Sequence, residues 1–180
     1  MLWTRSYITS AIAGLADQQD VLTRLLKNQQ DIGDAIKPLY GDAASNKLAE
    51  LLREHILLAG KVVDAEKSGN QADLVTNNKE WHRNADDMAK FLSAANPNWS
   101  QKTQQEMLYT HLQFLTDQAT ARLKKDWKAD ILAFDKGVRI TWLSMPTCFR
   151  MGFSSSSQIS LNKFQTQADT GGIRCQLICV

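Results

Sequence analysis

No cysteine occurs before position 148, and the three present, Cys148, Cys175 and Cys179, are odd in number and crowded near the end of the chain. That excludes a disulfide scaffold for the body and makes a reducing, cytoplasmic setting the expectation. Cys175 and Cys179 have no histidine near them, so they do not form a recognisable zinc spacing. No apolar run approaches the roughly 20 residues that cross a bilayer, so no membrane span is expected. The segment from Met1 to Ala16 has no acid, but its apolar run is broken by Thr9, Ser10 and Gly14. A short first helix fits it better than a targeting peptide. Also missing are a glycine-rich phosphate loop, a serine nucleophile elbow and a C-x-x-C pair.

Charge of one sign is scarce too. Residues 1–136 carry 17 Lys/Arg against 18 Asp/Glu, and this near-neutral body lacks the basic field on which nucleic-acid binding depends. Residues 137–180 are different, with Arg139, Arg150, Lys163 and Arg174 against Asp169 alone. At 180 residues the chain suits one domain with a tail better than two domains.

Helical periodicity fills most of the sequence. Leu2 to Ala13 forms a short first piece ended by Gly14. Asp17 offers an N-cap for a helix to about Ile36, with Leu22, Leu25 or Leu26, Ile32 and Ile36 at spacings of three and four, closed by Pro38 and Gly41. A third helix runs from Asp42 to about Lys67, with Leu48, Leu51, Leu52, Ile56, Ala59, Val62 and Val63 on its apolar face. Ser68-Gly69-Asn70 stops it. From Gln71 to Ala94 the apolar face reads Leu74, Trp81, Ala85, Met88 and Leu92, and Asn96-Pro97-Asn98 breaks the chain. Ser100 caps a last helix predicted to run unbroken to about Lys136, its stripe passing through Leu112, Leu115, Ala119, Leu123, Trp127, Ile131 and Phe134. Straight, it would reach about 54 Å.

Short connections between long amphipathic helices predict an all-α, antiparallel up-down four-helix bundle over residues 1–136, with the short first helix added. Residues 137–180 read as an irregular tail: 137–143 alternates like a strand, Pro146 interrupts it, Ser154 to Ser157 is a polar run, and 173–180 is strand-like again.

Two of the three histidines, His55 and His111, lie on or beside apolar faces. His55 stands thirteen residues after the cap Asp42 and His111 eleven after the cap Ser100, so each is about 16–20 Å from its helix start. In an up-down bundle these helices run parallel and diagonal, which lets the imidazoles face each other. Counting back from the adjoining turns brings Trp81, His82, Asn84, Asp86 and Asp87 to the same level. On the first long helix the count falls near Leu25, with Gln29 one turn away.

Three readings of that layer stand side by side. The first is a buried hydrogen-bonded layer of His55, His111, Asn84 and Gln29 that fixes helix register. The second is a metal site, zinc or iron, in which His55 and His111 are joined by a carboxylate such as Asp86 or Asp87. The third places haem or another small ligand between the histidines. A di-iron carboxylate centre is disfavoured because Leu52 and Leu108, not glutamates, stand three residues before the histidines. The functional expectation is a non-enzymatic binding or structural bundle, the rival being a metal-dependent hydrolytic or redox enzyme using the same site.

At Leu2-Trp3-Thr4-Arg5, Asn28-Gln29-Gln30-Asp31-Ile32-Gly33, Leu51-Leu52-Arg53-Glu54-His55-Ile56, Phe91-Leu92-Ser93-Ala94-Ala95-Asn96-Pro97 and Asp126-Trp127-Lys128-Ala129-Asp130-Ile131 the chain resembles a family of small helical proteins from bacteria and some plants. Members are sometimes labelled glycosyltransferases without a motif for that activity. The resemblance covers residues 1 to about 136 and implies an all-helical fold without supplying a mechanism. Relatives carry a histidine before the aliphatic-Trp-Thr-Arg segment and a further His-bearing helix after the last Asp, and both are missing here. If those histidines complete a metal site in the family, this chain holds at most part of it.

Overall fold

Five helices account for nearly all of residues 1–139, the part of the chain that the computed structural model describes. No strand occurs among the described residues. α1 is Leu2–Ala13, α2 is Gln18–Ser68, α3 is Gln71–Ala95, α4 is Gln101–Leu123, and α5 covers residues 127–139. α1 ends where Gly14 turns left-handed and α2 where Gly69 does. Asn70 then starts α3 by accepting a hydrogen bond from the Asp73 amide at 3.2 Å, a side-chain cap for an otherwise unsatisfied donor.

α2 is two arms. Pro38 does not end the first, because its missing N–H costs one backbone bond within a turn that stops shortly afterwards. The reversal comes at Gly41, whose φ of 79° and ψ of 174° lie outside the helical region. Behind it the arms touch through small residues. The Ser45 hydroxyl donates to the Gly33 carbonyl at 2.7 Å, and a β-carbon on Gly33 would stand 3.0 Å from the Ser45 carbonyl oxygen and 3.1 Å from the Ala49 β-carbon.

The remaining pairings set direction. The second arm meets α3 through Glu54–Arg83 and His55–Asn84, and α3 meets α4 through Asp86–Tyr109, so in each pair the chain doubles back. Tyr7 lies against Gly60, and the Lys67 ammonium donates to the Ala11 carbonyl, which sets α1 alongside the second arm. Leu25, Ile32, Leu52, Ile56, Val63, Trp81, Ala85, Met88, Leu112 and Leu115 meet in one apolar core. Their burial, at about 25 cal/mol per Å² of apolar surface, drives the helices together.

The expected unbroken last helix is corrected by the structure. α4 stops at Leu123, Lys125 adopts a left-handed φ of 58°, and the Asp126 carboxylate caps a new helix by accepting from the Ala129 amide at 3.0 Å. The break turns the expected stripe outward, since Trp127 and Ile131 are each 54% exposed while Asp130 is 2% exposed. Arg5 grips both oxygens of Asp130 at 3.1 and 3.0 Å, and Arg122 donates to one of them at 2.6 Å. One carboxylate thereby joins α1, α4 and α5. α5 passes through Gly137 to residue 139, so 137–139 is helical rather than strand-like. The rest of the tail reading, with all three cysteines, lies outside the described residues.

Candidate functional site

His55 comes from the second arm of α2, Trp81 and Asn84 from α3, His111 from α4, and Thr4 from α1. The centroids of the two imidazoles are 6.0 Å apart and their planes 25° apart. The Trp81 ring lies 5.5 Å from that of His55. Thr4, His55, Trp81 and His111, with Tyr7, Leu25, Ile56 and Leu115, line a cavity of about 30 Å³.

Asn84 positions His55. It has no exposed surface, and its amide nitrogen donates to the Leu51 carbonyl at 3.2 Å and to the Glu54 carboxylate at 3.1 Å. Both partners can only accept, so the Asn84 oxygen is the atom that faces Nδ1 of His55, 2.8 Å away. That oxygen in turn can only accept, so Nδ1 carries the proton and Nε2 keeps its lone pair. Glu54 also takes a hydrogen bond from Arg83 at 2.8 Å, which extends the chain of contacts to the surface.

Both histidines are held neutral. Burial lowers the pKa of His55 to about 4, against a smaller upward pull from the Asn84 hydrogen bond and Glu54. Burial likewise lowers His111 to about 3, with the His55 ring adding to the effect. Two of the lining residues carry buried polar atoms without hydrogen-bond partners, Nε1 of Trp81 and Oγ1 of Thr4. A buried donor left unpaired is costly, and about 30 Å³ is room for one or two water-sized guests.

Of the residues picked from the sequence, His55, His111 and Asn84 come together. Gln29 is buried one turn away, its Oε1 without a hydrogen-bond partner, and Leu25 is the first-arm residue at the level of the histidines. Asp86 and Asp87 are engaged elsewhere. Asp86 accepts from the Tyr109 hydroxyl at 2.8 Å and the Gln105 amide at 2.6 Å, and Asp87 pairs with Arg83 at 2.8 Å. His82 donates from Nδ1 to the Asn78 carbonyl at 2.8 Å and packs edge-on against Tyr109. Among the described residues no three His, Cys, Asp or Glu side chains gather in a group that suits a metal ion.

Sequence reasoning overlooked Thr4, Glu54 and Arg83. Glu54 and Arg83 are adjacent in sequence to His55 and Asn84, which is the signal that could have found them. Thr4 has no such marker, because only the docking of α1 brings it to the cavity.

No family model matches the chain, and no curated protein or solved structure does. Among the described residues no helix is long and apolar enough to cross a membrane.

Proposed function

We propose that the chain is a non-enzymatic binding protein, an up-down helical bundle that holds a single metal ion between His55 and His111. The observation that carries this reading is the pair itself: two neutral imidazoles with ring centroids 6.0 Å apart, both in the lining of one small cavity, and one of them with a ring nitrogen engaged by Asn84. A hydrogen bond to the far nitrogen is the usual way a ligating histidine is oriented and kept basic at the near one. The cavity volume argues for binding over catalysis, because about 30 Å³ falls far below the several hundred Å³ of pockets that take organic substrates or a haem.

Metal analysis after reconstitution of tag-free protein is the test. One equivalent retained by the wild type and lost in His55→Ala supports the reading. Absence of metal at every ion offered leaves the pair as a hydrogen-bonded layer that sets helix register.

A further inference from the structure

Exposed apolar side chains scattered singly are ordinary on a protein surface, but α5 carries three close together. Trp127, Ile131 and Leu132 are each more than half exposed. At about 100° per residue the buried positions Asp130, Ala133 and Gly137 fall within about 60° of one another, and they face the bundle. Ile131 and Leu132 therefore lie on the outward side of the helix, with Trp127 at its edge.

The charges around them are mostly of one sign. Lys124 and Lys125 precede the helix, Lys128, Lys136 and Arg139 stand on it, and all five are exposed. The ion pairs among the described residues use none of the five. Of the acids in this stretch, Asp130 is held between Arg5 and Arg122, and Asp126 caps the helix. Asp135 is the third. Residues 1–123 carry 13 Lys/Arg against 15 Asp/Glu, so the unpaired cations gather around α5 on a body that is otherwise slightly acidic.

That combination selects a partner. A second copy would bring two like-charged faces together. A nucleic acid would satisfy the cations but leave Ile131 and Leu132 without cover. An anionic bilayer meets both needs, because lysine and arginine stems lie along apolar surface while their charged heads reach acidic headgroups. Tryptophan suits the boundary between water and hydrocarbon, and a helix both basic and apolar on its outward side lies in the plane of such a surface.

We propose that the outward face of α5 docks the bundle on a negatively charged lipid surface. Trp127, Ile131 and Leu132 enter the headgroup layer, and the five cations hold the acidic headgroups. The docking is peripheral and does not depend on what the histidine cavity holds.

Flotation of the full-length chain with vesicles is the test, one set of phosphatidylcholine alone and one of equal parts phosphatidylcholine and phosphatidylserine. The expected result is binding to the acidic set only, weakened by added salt. Lys128→Gln should weaken it about fivefold, the worth of one cation near an anionic surface. The double variant Ile131→Ser, Leu132→Ser should weaken it by about tenfold or more, from the lost apolar burial. Leu132→Ser alone replaces the double variant should that fail to fold. Equal binding to both sets, or to neither, overturns the proposal. Loss in Lys128→Gln but not in the serine variants marks a polyanion site and overturns the lipid assignment. Binding unchanged in all of them puts the contact elsewhere on the chain and overturns it too.

Discussion

Asn84 and His55 share a 2.8 Å hydrogen bond in which a fully buried amide oxygen accepts from an imidazole N–H. The bond fixes the tautomer of the histidine and ties α3 to the second arm of α2 at mid-height. Replacing Asn84 with Leu would strand the His55 N–H and one oxygen of Glu54. We expect a loss of about 2–3 kcal/mol, the cost of leaving buried partners unsatisfied. Urea unfolding checks it, with the exposed Asp87→Asn as a control near zero. A loss below about 0.5 kcal/mol would mean that the Asn84 contacts are not worth a typical buried hydrogen bond.

The pH dependence follows from the depressed histidines. In the unfolded chain both titrate near their ordinary value of about 6.5, while in the folded protein burial lowers His55 to about 4 and His111 to about 3. Below 6.5 the unfolded chain takes up protons that the folded chain refuses, so stability is present above that pH and drains away as pH falls toward the folded values. The melting temperature should drop between pH 7.5 and pH 5. The drop should shrink in a His55→Gln, His111→Gln double variant. An identical pH profile in that variant would show that the two rings titrate alike in both states.

Asp130 is a carboxylate 2% exposed between Arg5 and Arg122, whose side chains are 24% and 19% exposed. Removing it in Asp130→Ala leaves two guanidinium groups facing each other without a counter-charge. The expected loss is about 3 kcal/mol, the lower end for breaking a buried pair because the arginines keep some water. Hydrogen exchange should quicken across α5 and the start of α1 while the α2–α3 pair holds its protection. Unchanged exchange in α5 would mean that apolar contacts alone dock it.

Lys125 tests the break between α4 and α5 by sign. At its φ of 58° a non-glycine residue is strained by roughly 1 kcal/mol, so Lys125→Gly should stabilise the protein by about 0.5–1 kcal/mol. Were residues 101–136 one continuous helix, the same change would destabilise by about 1 kcal/mol. Thermal melts decide between them.

Much of the site could be read in advance because helix depth is a matter of counting. Residues lie 1.5 Å apart along the axis, and capping and stop residues mark where counting begins. That placed His55, His111 and Asn84 at one level. Asp86 and Asp87 sit at the same level, but each carboxylate went to a partner on its own side of the bundle, Tyr109 with Gln105 and Arg83. Level is a property of one helix, whereas a choice of partner depends on how neighbouring helices are rotated.

The α4–α5 break hid for a related reason. Leu123, Trp127 and Ile131 continue the helical period across it, and periodicity alone cannot register a reversal of the chain. Asp126 was a usable cap signal, but nothing in the local pattern ranked it above the continuous stripe. Once the chain turns back, Trp127 and Ile131 face outward and Asp130 faces in.

What the sequence by itself determined was the helical character of the chain, the stops at Gly14, Gly41 and Gly69, and the depth of the polar layer. Each depends on interactions within a few residues. Only the tertiary structure decided the return of α5, the grip of Arg5 and Arg122 on Asp130, and the entry of Thr4 into the wall around the two histidines. Those contacts join residues far apart in the chain, and they form only where burial of the shared core has already set how the helices pack.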